Sequence, residues 1–461
     1  MASIFRIFPN SRPDSINRKI FRAAGIVAAF SILTRLAATL KELTIAHAFG
    51  RNDALDAFLI AFVLPTFLTS LLMSGLGSAL LPTLMETRRE HGPEAAQRLL
   101  SNIVFLSVIA LVAAAILVGL FAPFYLPLLA HGFSPEKLLL TRNLLYLLLP
   151  WMVCSGLAIL LSYILNAGEK FALPALVPLV TPLAMIGFIV FVGPRDGFSL
   201  ALGMAAGGFL EVMVLLRILW AHDIHFRFRW SGFDAGVRKV LAQYTPMMAS
   251  TFLMGSILVV DQFFAAMLPA GSVSALSYGN KISNALLLIG GSALSTATLP
   301  YFSHMAAEGD FHGCRHTIRR YVALITIVAV PVTLLVIGFS RPIVRMLFQR
   351  GAFTAADTQI VSLVQICYCL QIPFQALCVL FSRFICAVKR NDLLMYGSVL
   401  NLAVNIVMDM VLMRLWGVAG IAAATAIVSL VSLSFLAIAS VKLLAQRAPG
   451  VTAAQAHAGQ V

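Results

Sequence analysis

The chain has 461 residues, 60% of them hydrophobic and only 11% charged, with a mean hydropathy of +0.92. A soluble globule would carry about 25% charged residues, so composition excludes one and predicts an all-α polytopic membrane protein. The formal net charge of +14 would suggest nucleic acid in a soluble chain. Here membrane topology accounts for the sign, and no nucleic-acid partner is expected.

In chain order, residues 1–21 form a basic tail with Arg6, Arg12, Arg18 and Lys19. Ala46-His47-Ala48 imitates a signal-peptide cleavage site, but the apolar stretch before it is long and broken by charge, which predicts an uncleaved first span. Runs able to cross about 30 Å of hydrocarbon follow one another along the chain. They fall near 22–47, 54–86, 99–129, 138–166, 171–193 and 198–220, then 238–268, 274–306, 317–339, 356–388, 393–413 and 417–443. That makes twelve transmembrane helices. Arg88, Arg89, Arg227, Arg229, Arg238, Lys239, Arg315, Arg319, Arg320, Lys389 and Arg390 all lie in loops on the side of the N-terminus. The positive-inside rule therefore places both termini in the cytoplasm.

The two sets of six read as copies. GFSPEKLLL at Gly132–Leu140 parallels GAFTAADTQ at Gly351–Gln359, each with an N-cap, Ser134 or Thr354, before a helix. GLFAP at Gly119–Pro123 parallels GFSRP at Gly338–Pro342, and the SALLP ending at Pro82 parallels the TATLP ending at Pro300. Ordered matches of this kind predict two homologous six-helix lobes, 22–222 and 238–445, around a central cavity, joined by a linker at 223–237 and followed by a tail at 446–461. Pro174, Pro178 and Pro182 recur on one face of the fifth helix, where they predict a bend.

The first helix departs from the apolar pattern: it carries Arg35, Lys41 and Glu42, and the second opens with Asp56 after a tight turn at Gly50–Asp53. An ionised group at mid-membrane costs at least about 2.5–3.5 kcal/mol, so such groups normally face a bundle interior or water. Arg35 and Glu42 fall about 20° apart on one helix face, with Lys41 about 120° away. Lys281 on the eighth helix supplies a further cation from the second lobe, and Asp261 an acid on the seventh. Asn401, Asn405 and Asp409 line the eleventh at four-residue spacing. Glu211, Arg217 and Arg383 stand nearer helix ends, where long side chains reach water. Asp56 is read equally as a helix cap and as part of a site.

Inward cations suit concentrated negative charge, above all phosphate or pyrophosphate. No Walker loop, HExxH or GxSxG is present, and no catalytic activity, cofactor or metal site is expected. The six cysteines lack the paired spacing of a metal or disulfide framework. Transport would then draw on an ion gradient or the membrane potential, with Asp261, Asn405 and Asp409 the candidates for ion coupling.

TRLAATLKELTIAHAFG at Thr34–Gly50, the DAF at Asp56–Phe58 and the following Leu64-Pro65 resemble the opening of the MviN/MurJ lipid II flippase family. VSALSYGNKISNALLLIGGSALSTATLP at Val273–Pro300 and RPIVRMLFQRGAFTAADT at Arg341–Thr358 resemble its eighth helix and ninth-to-tenth connection. The resemblance implies a V-shaped cavity between the lobes and translocation of an undecaprenyl-pyrophosphate-linked saccharide across the bacterial inner membrane by alternating access. It also implies substrate binding by Arg35, Lys41 and Lys281, with Asp56 on a matching acidic position and Glu42 beside them. Membrane lipid is the other implied partner, and no second copy of the chain is required. The second helix departs from the family pattern: Thr69, Ser70, Ser74 and Gly75 occupy a run where the family has a pair of arginines and a Glu-Gly step. Two further family cations are lysines here, and the two additional helices of many members are not seen. An ion-coupled multidrug or cation antiporter of the same superfamily is the alternative, its motor being Asp261, Asp56 or Asp409.

Overall fold

The computed structural model describes residues 13–168, 170, 172–193, 197–222 and 230–447. Arg6 and Arg12 of the tail, Arg227 and Arg229 of the linker, and residues 448–461 lie outside the described residues. Fifteen α-helices account for nearly all the rest. They are α1 Pro13–Phe49, α2 Asp53–Met73, α3 Leu76–Leu129, α4 Pro135–Ala167, α5 Ala172–Leu176, α6 Val180–Val192, α7 Phe198–Ala221 and α8 Ala235–Ala266. There follow α9 Ser272–Glu308, α10 Phe311–Gly338, α11 Ser340–Phe348, α12 Ala355–Cys369, α13 Ile372–Ala387, α14 Asn391–Trp416 and α15 Val418–Arg447. Among the described residues nine stretches are long and apolar enough to cross a membrane, and one of them, Asp53–Leu129, has 77 residues. With α1 and α9, whose polar residues dilute their runs, this accommodates the twelve expected passes.

The breaks follow from local chemistry. Gly92 interrupts α3 at φ 82°, ψ 178°, a backbone open mainly to glycine. The chain reverses there, since Glu86 before it and Leu99 beyond it both meet the first turn of α8, at Lys239 and Gly236. Ser74 ends α2 in an extended conformation before Gly75 at φ 82°, so the single run expected over 54–86 is two helical pieces. In the fifth span the proline stripe separates α5 from α6 by a 3-10 turn at Val177–Leu179. Pro178 has no N–H to offer the helix, and Thr34 Oγ1 of α1 stands 3.1 Å from the carbonyl of Ala175. Ser134 and Thr354 are N-caps as expected, Thr354 within a full capping box with Asp357.

The chain divides into two compact units. One holds everything to Gly271 together with Arg350–Phe353; the other holds Ser272–Gln349 and Thr354 onward. This boundary falls one helix beyond the linker at 223–237. In the first unit α4 packs on α2, α3 and α7, α7 on α6, and α8 on α2 and α3. Lipid tails are as apolar as leucine, so close approach rather than water exclusion holds such helices together. Glycines supply it: a Cβ on Gly207 of α7 would stand 2.6 Å from Thr181 Cα, and one on Gly132 would stand 2.4 Å from Ala266 O. In the second unit α9 packs on α12 and α13, α15 on α12, α13 and α14, and α10 on α13. Phe302, Phe384, Leu380 and Cys314 are central to a core there.

Candidate functional site

Arg35 is exposed on α1, on an arc shared with Ile32, Leu36, Thr39 and Leu40, while Thr34 faces Ala175. No carboxylate among the described residues pairs with it. Lys41 does have a partner: its Nζ is 2.9 Å from Glu42, and each side chain is 20% exposed. Glu42 thus offsets one of the cations nominated for substrate.

Asp56 sits deeper than either sequence reading required. Asn52, not Asp56, caps α2, its side chain accepting from Leu55 N. Asp56 is 1% exposed, and its Oδ2 accepts from Gly271 N at 2.7 Å and from Lys137 Nζ at 3.3 Å. Lys137 also pairs with Asp53 and lies 3.9 Å over the Phe133 ring. Arg51 Nε closes the cluster by donating to Gly271 O at 2.9 Å. Lys137 and Arg51 were not singled out from sequence. The available signal was two acids, Asp53 and Asp56, one helical turn apart at the start of a membrane helix, which call for a cation nearby.

Around this cluster the loops interlock in a repeated way. His47 O accepts from Ala352 N at 2.8 Å, and a Cβ on Gly351 would stand 2.3 Å from His47 O. An offset of 219 carries His47 onto Ala266 and Gly132 onto Gly351. The approach of Gly132 to Ala266 O is therefore the same contact with the halves of the chain exchanged.

In the second-helix run that departs from the resemblance, Ser70 is exposed while Thr69 and Ser74 are bonded within the protein. Thr69 is 4% exposed and donates to Pro65 O at 2.8 Å, and Ser74 Oγ lies 2.9 Å from Thr251 Oγ1 of α8.

Lys281 is half-buried on α9. Gly279 and Ser283, about 160–200° around the helix from it, meet Val364 and Cys369, so Lys281 occupies the side of α9 turned away from α12. Asn405 and Asp409 of α14 are fully buried, and Asn401 Nδ2 donates to Ser432 Oγ at 3.1 Å. Gln365 of α12, 1% exposed and without a partner for either amide atom, is a buried polar group that sequence reasoning passed over. Asp261 of α8 is 7% exposed and belongs to the first unit, whereas Asn405 and Asp409 belong to the second. Glu211 is not a solvated end residue: its Oε1 accepts from Thr181 N at 3.3 Å, a donor orphaned where the fifth span breaks.

The first unit thus carries an exposed arginine on α1 and a buried acid cluster closed by Lys137, and the second unit carries a polar stripe on α14. The model of a family described as "Lipid II flippase MurJ" matches residues 45–456. The chain belongs to the lipid II flippase MurJ family. It is accordingly a multi-pass protein of the bacterial inner membrane. A probable lipid II flippase MurJ of Buchnera aphidicola (from Acyrthosiphon pisum) is 27% identical over 403 residues, covering 86% of this chain and 78% of its own. That of Vibrio cholerae is 24% identical, covering 88% and 80%. A solved lipid II flippase MurJ in an inward closed conformation superposes with a TM-score of 0.77 at 24% identity, covering 90% of this chain and 87% of the other. An inward-facing multidrug MATE transporter of the MOP superfamily gives 0.72 at 14% identity, covering 92% and 98%. Both likenesses fix the fold.

Proposed function

We propose that the chain flips an undecaprenyl-pyrophosphate-linked saccharide, lipid II by default, from the inner to the outer leaflet by alternating access. The family match over residues 45–456 carries this reading, and the names of the MurJ relatives support its cargo. Arg35 takes the pyrophosphate, its planar fork suited to two phosphate oxygens. Lys41 and Lys281 add point charges, and Glu42 and Asp56 tune the cations beside them. Both termini face the cytoplasm, one chain suffices, and an ion gradient or the membrane potential resets the cycle through Asp261, Asn405 and Asp409. Because the second helix lacks the family's arginine pair, the cargo is held by fewer cations, which also admits a related lipid-linked glycan.

Expression in a bacterium depleted of its own lipid II flippase tests this directly. Growth should recover, and lipid II should become accessible to an enzyme added outside. A folded, membrane-localised chain that gives neither result would refute the reading.

The MATE-like fold and the fully buried Asp409 favour one second reading, a cation antiporter. The two part on mutation. A flippase fails with Arg35→Glu and Lys281→Glu, whereas an antiporter tolerates Lys281→Gln and fails when Asp261 is neutralised.

A further inference from the structure

Glu211 is an acid inside a membrane helix that the transport mechanism does not use. It lies about 20 Å along α7 from Phe198, with Ala221 about 15 Å further on. No Lys, Arg or His among the described residues pairs with it. The helices against α7 offer none: α6 and the 3-10 turn at Val177–Leu179 hold no ionisable side chain. On α4, Glu136, Lys137 and Arg142 all lie in the first eight residues, and Trp151 and Cys154 are what meet α7 at Gly208. An acid so placed normally marks an ion or substrate pathway.

Other oxygen atoms gather beside it, at the break in the fifth span. Glu211 Oε1 accepts from Thr181 N at 3.3 Å, and Oε2 accepts from none of the described residues. Thr181 Oγ1 is buried and has no hydrogen-bond partner. It is aimed at α7, since a Cβ on Gly207, one turn before Glu211, would stand 2.9 Å from it. Pro182 has no N–H, so the Pro178 carbonyl lacks the donor that a continuous helix would supply. A side-chain carboxylate, a hydroxyl and a carbonyl at a discontinuous membrane helix are the ligands from which coupling-ion sites are built.

We propose that Glu211, Thr181 Oγ1 and the Pro178 carbonyl bind a sodium ion. The site is separate from Asp261, Asn405 and Asp409, which lie on α8 and α14. A single carboxylate balances a single positive charge, whereas calcium and magnesium draw on larger or more hydrated oxygen sets. Three acceptor oxygens suit a metal cation, where a proton needs only one. The bound ion ties α7 to the turn between α5 and α6, so its arrival and loss set the bend of the fifth span. That use rests on the transport reading; the binding itself does not.

The test is equilibrium binding of radioactive sodium to the purified full chain, in detergent and choline buffer. An Asp261→Asn/Asp409→Asn parent removes the other coupling candidates, so that saturable binding reports this site. Glu211→Gln keeps an acceptor for Thr181 N and should weaken binding by about a hundredfold or more. Thr181→Val should weaken it about tenfold, and Arg217→Gln on the same helix should leave it intact. Unchanged binding in Glu211→Gln would overturn the proposal. So would a parent that binds no sodium, and proton uptake lost with Glu211→Gln would then assign the carboxylate to a proton. Growth rescue of a flippase-depleted bacterium is scored separately. Sodium binding without rescue upholds this site and removes the cargo reading; rescue without sodium binding does the reverse.

Discussion

The Lys137 ammonium stands 3.3 Å from Asp56 Oδ2, joining the start of α4 to the start of α2 across 81 residues of sequence. Lys137 is 10% and Asp56 2% exposed in their side chains, so water does little to weaken the pair. Replacing Lys137 by Met removes a charged hydrogen bond from a buried carboxylate and should cost about 1–3 kcal/mol. Thermal unfolding in detergent measures it. Adding Asp56→Asn should cost less in the Lys137→Met background than in the wild type; additive losses would show that the two groups do not couple.

Arg35→Glu should abolish flippase complementation while the chain still reaches the membrane, because Arg35 is exposed on α1. Arg35→Lys should retain partial activity, since the charge remains but the fork does not. Immunoblotting of membrane fractions alongside growth separates a transport defect from loss of the protein.

Gly50 and Gly351 have φ of 57° and 59°, and a Cβ on either would stand 2.4 or 2.3 Å from a carbonyl oxygen. Alanine at either position should destabilise by about 1–3 kcal/mol. Gly92, at φ 82° and ψ 178° with open space around it, should bear about 1–3 kcal/mol of backbone strain without the carbonyl clash that Gly50 and Gly351 add to theirs, and so lose less than they do. Melting temperatures of the three variants give the ranking, and Gly92→Ala as the most damaging would contradict it.

Glu211→Gln keeps an acceptor for Thr181 N and should leave stability nearly unchanged, whereas Glu211→Leu strands that donor and should cost about 1–3 kcal/mol. Equal effects of the two would mean that the bond at 3.3 Å contributes nothing.

The spans were legible because an apolar run of sufficient length has few alternatives, and the caps Ser134 and Thr354 because capping is settled within one turn of sequence. The turn at Gly50 was legible for the same local reason. The amphipathic α11 went unseen in a connection read as a loop. Lys137 was not legible as the partner of Asp53 and Asp56, nor Glu211 as the partner of Thr181. Both pairings depend on the register between packed helices, which composition does not encode. Asn102 shows the same limit: fully buried in α3, it accepts from Ser231 N at 2.8 Å and donates to Gly232 O at 3.1 Å, docking the end of the linker. Nothing near Asn102 in the sequence announces that bond.

The paired approaches of His47 to Gly351 and of Gly132 to Ala266 have the reciprocal form of an isologous contact, in which position i meets j and the counterpart of j meets the counterpart of i. Identical subunits would have carried the same side chains at both places. Here the positions matching Lys137, Asp53 and Asp56 hold Ala356, Ser272 and Ala275, so only one of the twin contacts kept, or acquired, an electrostatic lock. Symmetry of backbone with asymmetry of charge leaves an ion-paired cluster beside the approach of Gly132 to Ala266 and an uncharged set at the positions matching it.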